Sequence, residues 1–122
     1  MSVLSENGDK MQGVVTEYKE ICAICGRTTE AEHHLIFGTS DRNLAERDGI
    51  KIPICNNCHN MGQRSCRIHD NPMAEKLSKI SGQLAWEKEW ILNELIQDKN
   101  QRKKIKREAR EKFRERYRQS FL

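Results

Sequence analysis

The apolar positions of this chain change their spacing several times, and each change marks a different element. The first dozen residues mix Ser, Glu, Asn, Gly and Asp without periodicity, so a flexible leader is expected over residues 1–20. Near its end Val14, Val15, Tyr18 and Ile21 suit either one helical turn or a short strand. Ala31 to Phe37 is apolar towards its end and is followed by Gly38-Thr39-Ser40-Asp41, which reads as a strand and then a loop. Arg42 to Asp48 is polar and carries a helical turn. Past Gly49, Ile50, Ile52 and Ile54 alternate with Lys51 and Pro53, the period of a short edge strand.

The period then lengthens. Asn71-Pro72 is a helix start, because Asn caps and Pro is tolerated at the first helical position. From Met73 to about Asp98, Leu77, Ile80, Leu84, Ile91 and Leu95 fall at helical spacing, and Trp86 and Trp90 add an i, i+4 aromatic pair. That pair is expected in the core rather than as a base-stacking surface. Gly82 costs about 1 kcal/mol against Ala in a helix, so it marks a close approach or a kink. Beyond Asn100 the helix can continue, with Ile105, Ala109, Phe113 and Tyr117 recurring every four residues. So narrow a stripe needs a partner surface.

Composition limits what such a pattern can bury. Of 122 residues 36% are hydrophobic and 33% charged, so side chains alone make a thin core and a staple is expected. Met1 to Lys10 has no apolar run of the signal-peptide kind, and no stretch approaches a membrane span. A reducing cytosol is the expected setting, and paired cysteines then read as metal ligands rather than disulfides.

The cysteines supply that staple. Cys22-Ala23-Ile24-Cys25-Gly26 and Cys55-Asn56-Asn57-Cys58 are two C-x-x-C turns with 29 residues between them. Four thiolates satisfy tetrahedral Zn²⁺ and leave no coordination position open, so a site of Cys22, Cys25, Cys55 and Cys58 is structural. Cys66 has no matching partner and reads as a free thiol. All four histidines lie in the same stretch: the doublet His33-His34, then His59 directly after a knuckle cysteine, then His69 before the helix start.

These motifs together resemble the HNH endonucleases, whose core is the ββα-metal fold. The likeness is closest to small HNH-like proteins of phages and prophages that carry H-H-L-I-F-G, a C-x-x-C-H-N stretch and a later I-H-x-N. It covers about Cys22 to Trp90. It implies an α+β fold with a small ββα-metal core stapled by the Cys₄ zinc site, followed by one or more long C-terminal helices. The domain plan is then a leader over 1–20, the zinc-stapled HNH-like domain with its helix over 21–98, and a basic helical arm over 99–122. The resemblance further implies that His33 and His59 bind a catalytic metal and that His34 is the general base. Asn43, with Asn60 behind it, matches the asparagine that orients the base. His69 is the candidate third ligand or a phosphate contact. The catalytic ion is Mg²⁺, Mn²⁺ or Zn²⁺, with imidazole leaning towards transition metals. It also implies a phage or prophage protein working in the cytoplasm of a bacterial host.

Charge points to the partner. The chain is +4 overall, yet Lys99 to Arg118 alone holds eleven Lys or Arg against three Glu, so the remainder is net acidic. Such a segment neutralises phosphates with little regard to sequence. The expected function is therefore metal-dependent hydrolysis of DNA, with the arm giving affinity. Two other classes fit the residues: a zinc-stapled DNA-binding module without catalysis, and a phage interaction protein whose tail docks on a phage or host protein. The stripe in the arm also permits a homodimer.

Overall fold

The computed structural model describes residues 12–122, so most of the expected leader (residues 1–11) lies outside the described residues. Strands β1 (Ala31–His34) and β2 (Lys51–Ile54) pair antiparallel, and helix α1 (Asp41–Asp48) fills the connection between them. Gly49 ends α1 with φ 72°, a left-handed conformation that glycine adopts without a Cβ penalty, and its N–H returns to the carbonyls of Ala45 and Glu46. The register sets His33 opposite Ile52 and His34 opposite Lys51. A π-helical turn (Asn57–Met61) and a 3₁₀ turn (Arg64–Cys66) precede two long helices, α2 (Pro72–Leu95) and α3 (Lys99–Tyr117). The class is mixed α+β, as the pattern predicts. Among the described residues no helix is long and apolar enough to cross a membrane.

Helix α2 begins where the Asn71-Pro72 signal puts it: the Asn71 side chain accepts a hydrogen bond from the Ala74 N–H at 3.3 Å. It runs unbroken through Gly82, which is buried. A Cβ at that position would lie 2.7 Å from Ile36 Cγ1 and 3.0 Å from Leu35 Cβ. Gly82 therefore marks a close approach of helix to strand end, not a kink.

Two small cores result. One joins Val15, Leu35, Ala45, Ile50 and Ile52 under α2, with Trp86 packed against it. The other gathers Cys22, Ile54, Cys55, Cys58 and Ile68. Trp86 donates its Nε1–H to Asp48 at 3.0 Å. Trp90 differs from its expected core position: it is 42% exposed, while Trp86 packs against the first core.

Two segments differ from the reading of their sequence. Val15 and Thr16, assigned to the leader, are buried, and the Val14 N–H bonds to Gly49 O at 2.9 Å. The segment is neither helix nor strand; burial of Val15 holds it in place. The basic segment is a separate helix rather than a continuation: the backbone turns extended at Ile96, and Asp98 caps α3 through the Asn100 N–H. It also turns back onto the body. Ile105, Ala109 and Phe113 face Leu84 and Ile91 across a cavity of about 620 Å³, Lys106 meets Glu89 at 2.8 Å, and Arg110 meets Glu17 at 3.1 Å. The narrow stripe thus finds part of its partner surface in α2.

Candidate metal centres

The sulfur cluster is built by local turns held to the sheet. In the first knuckle Gly26 takes φ 81°, its N–H bonds to Cys22 O at 3.0 Å, and the Ile24 N–H points at Cys22 Sγ at 3.4 Å. The Ala23 N–H bonds to Pro53 O at 2.9 Å and ties this turn to β2. The second knuckle continues β2 directly. All four sulfur atoms lie within 4.8 Å of one another, with Cys25 and Cys55 Sγ 3.5 Å apart. Zn–S bonds in a tetrahedron separate sulfurs by about 3.8 Å, so the donor set fits a metal ion such as zinc. Burial resists ionisation of Cys22, but backbone N–H groups of Cys25, Cys55 and Ile24 outweigh it and bring the thiol down to about 6. Burial and the neighbouring thiols push Cys58 up. Thiolates this close need a cation to stay charged together. Cys66 is exposed and outside the cluster, beside Ser65.

The π-helical turn sorts Cys58 and His59 to different tasks. Cys58 joins the sulfur cluster, while the His59 ring reaches His33, with centroids 5.3 Å apart. Backbone bonds from Ile68 N–H to Cys58 O (2.8 Å) and from His69 N–H to His59 O (3.1 Å) lay the following loop alongside. That pairing sets His69 against both rings, 5.1 Å from His33 and 4.7 Å from His59. One nitrogen from each of His33, His59 and His69 lies within 4.8 Å of the others, and the Nε2 atoms of His59 and His69 are 3.1 Å apart. Ligand nitrogens on one tetrahedral zinc stand about 3.3 Å apart, so this set also fits a metal. Burial, then the neighbouring imidazoles, hold His33 down at about 3, and the same causes lower His59. Neutral rings are the ligand form.

His34 is not in this trio. It points to the other side of β1, where its Nε2 lies 2.8 Å from Glu46 Oε1. The second Glu46 oxygen holds Lys51 Nζ at 2.7 Å, and Lys51 also meets Glu32 at 3.2 Å. Burial resists the Glu46 charge, but the bonds from Lys51 and His34 prevail and keep its carboxyl below the ordinary range. Asn43 and Asn60 are both exposed. The side chain that engages the His34 ring is Glu46, one turn after Asn43 on α1.

Sequence reasoning misses Glu46, Lys51 and Ser78. Ser78 lies 45 positions from His33 yet meets its Nε2 at 2.9 Å. No local signal carries such a pair. His34, Glu46, Lys51 and Arg42 line a cleft of about 690 Å³ that shares Gly13 and Lys19 with a larger groove. That groove, about 950 Å³, runs under α3 and is lined by Lys103, Lys104 and Arg107 among other basic residues. No protein-family model, curated protein or solved structure matches this chain.

Proposed function

We propose that this protein is a metal-dependent endonuclease of the HNH type that hydrolyses DNA phosphodiester bonds on a ββα-metal core. The observation that carries the reading is the convergence of His33, His59 and His69 beside a separate four-sulfur cluster. Sulfur donors fill a tetrahedral shell and suit a structural zinc; three imidazoles do not fill the shell of a catalytic ion. A divalent cation there, Mg²⁺, Mn²⁺ or Zn²⁺, supplies charge neutralisation on the scissile phosphate and the leaving oxygen.

The chain's own groups supply the rest. His34 is the general base, and Glu46 orients it, as a carboxylate does for a catalytic imidazole. With Nε2 held by Glu46, Nδ1 is the nitrogen that takes the proton from water. His34 directly follows the ligand candidate His33 in β1, and this adjacency supports a base next to the metal site. The groove of Lys103, Lys104 and Arg107, which adjoins the His34 cleft at Lys19, gives the DNA backbone its path. Nicking of supercoiled plasmid with Mg²⁺, Mn²⁺ or Ni²⁺, against an EDTA control, tests the reading. His34→Ala abolishes cleavage with zinc content and fold intact; full activity in that variant removes His34 as the base.

One observation favours a second reading, a zinc-stapled DNA-binding module without catalysis. His34 is only 7% exposed, its ring engages Glu46, and it lies outside the trio. Retention of plasmid at low salt, with no nicking under any of the three metals, decides for it.

A further inference from the structure

Helix α2 touches two of the three imidazoles, and its groups are one turn apart. Ser78 Oγ lies 2.8 Å from the carbonyl oxygen of Leu35 and 2.9 Å from Nε2 of His33. A carbonyl only accepts, and a hydroxyl has one hydrogen. That hydrogen therefore goes to Leu35, since two bare oxygens at this distance repel. Ser78 can then only accept from His33, so Nε2 of His33 carries a hydrogen and the ring's bare nitrogen is Nδ1. The ring has no room to choose otherwise, being 1% exposed and packed against His59, His69 and Phe37. Three residues earlier, Glu75 Oε2 lies 4.0 Å from Nδ1 of His69, whose Nε2 faces His59.

We propose that Ser78 is a positioning residue that locks His33 in the Nε2–H tautomer, so that His33 offers Nδ1 to the metal while Glu75 leaves His69 to offer Nε2. The ligand set is then mixed, with Nδ1 from the strand and Nε2 from the loop. The buried serine of α2 thereby has a reason: it takes Leu35 O and fixes a ligand at the same point. Outer-sphere partners of this kind set ring orientation and tautomer, and their loss typically lowers metal affinity 10- to 100-fold. The inference rests on the three-histidine metal reading and not on phosphodiester hydrolysis.

The test uses the full chain, labelled with ¹⁵N-histidine, with zinc at the cysteines. Long-range ¹H–¹⁵N spectra before addition of further metal report the tautomer of each ring. His33 is expected to show a protonated Nε2 and a bare Nδ1; the reverse pattern overturns the proposal. Calorimetric titration with Mn²⁺ or Zn²⁺ then compares variants. Ser78→Ala is expected to lose 10- to 100-fold in affinity for the second ion and to show mixed His33 tautomers. Glu75→Gln, at a partly exposed site that does not threaten the fold, is expected to lose less and to change only the His69 signals. A second ion bound equally well by wild type and Ser78→Ala overturns the positioning role. Failure of wild type to take up any second ion overturns the metal site and this inference together. Absence of DNA cleavage alongside the expected tautomer and affinity loss leaves it standing and counts only against the nuclease.

Discussion

His33 and His34 are neighbours in β1, yet one meets Ser78 at 2.9 Å and the other Glu46 at 2.8 Å, on opposite sides of the strand. Alternation of side chains in a strand makes this division unavoidable. It separates an environment where imidazoles crowd one another from a charged one, where a carboxylate sits between an imidazole and an ammonium.

Removal of an ion held by the four sulfurs should unfold the domain. The second core consists largely of Cys22, Cys55 and Cys58, with Ile54 and Ile68. Without a cation these sulfurs repel or protonate, and little apolar area remains to replace them. Cys55→Ser, or treatment with a strong chelator, is expected to abolish the cooperative thermal transition followed by circular dichroism. A sharp melt in the chelated protein would refute the structural role.

Loss of one imidazole should separate the two sites. His59→Ala and His69→Ala are expected to bind one zinc per chain instead of two ions and to keep their melting temperature within a few degrees. Elemental analysis of dialysed protein gives the count directly. Two ions retained in both variants would place the second ion elsewhere.

Glu46 makes a pH-dependent contribution whose sign follows from its partners. Its carboxyl lies below the ordinary 4.5, because Lys51 and His34 favour the charged form over the opposing effect of burial. The stabilisation is therefore complete above pH 4.5 and is lost as pH falls through the folded-state value. Arg42 and Lys19 line the same cleft. Glu46→Gln is expected to cost about 1–2 kcal/mol at pH 7 and to flatten stability below pH 4.5. Urea titrations at pH 7 and pH 3.5 measure both; an equal cost at the two values would rule out the ion pair as the cause.

Gly82→Ala should destabilise the protein although Ala is the better helix former. The added methyl would meet Ile36, Leu35 and Ile50 at 2.7 to 3.1 Å. Overpacking of that kind costs about 1–3 kcal/mol, more than the roughly 1 kcal/mol gained in propensity. A lowered urea midpoint is expected. A raised one would mean that helix and strand end move apart freely.

Affinity for DNA should fall steeply with salt, and the slope should depend on the groove under α3. Replacing Lys103, Lys104 and Arg107 together by Ala leaves up to three phosphates without a cation. The slope of log K against log salt is then expected to shrink by about 0.9 for each phosphate no longer neutralised. Fluorescence anisotropy over a salt series measures it, and an unchanged slope would move the DNA path to another face.

The sequence by itself determined the parts that depend on neighbours in the chain. Two C-x-x-C turns, the Asn71-Pro72 helix start, the alternation around Ile52 and the glycine stop at position 49 are all local, and the structure has each of them. The pattern also required His33 and His34 to part company. Tertiary structure alone decided what each of them meets, because those partners come from other elements: Ser78 from α2 and Glu46 from α1. It brought His69 to His59 through two backbone bonds between the π-helical turn and the loop that follows it. It folded the basic segment back along α2, since a stripe of four apolar residues says that a partner is needed but not where it lies. Short-range sterics and hydrogen bonding are written into adjacent residues. Long-range contacts depend on how separate surfaces fit, and that fit exists only once the chain has packed.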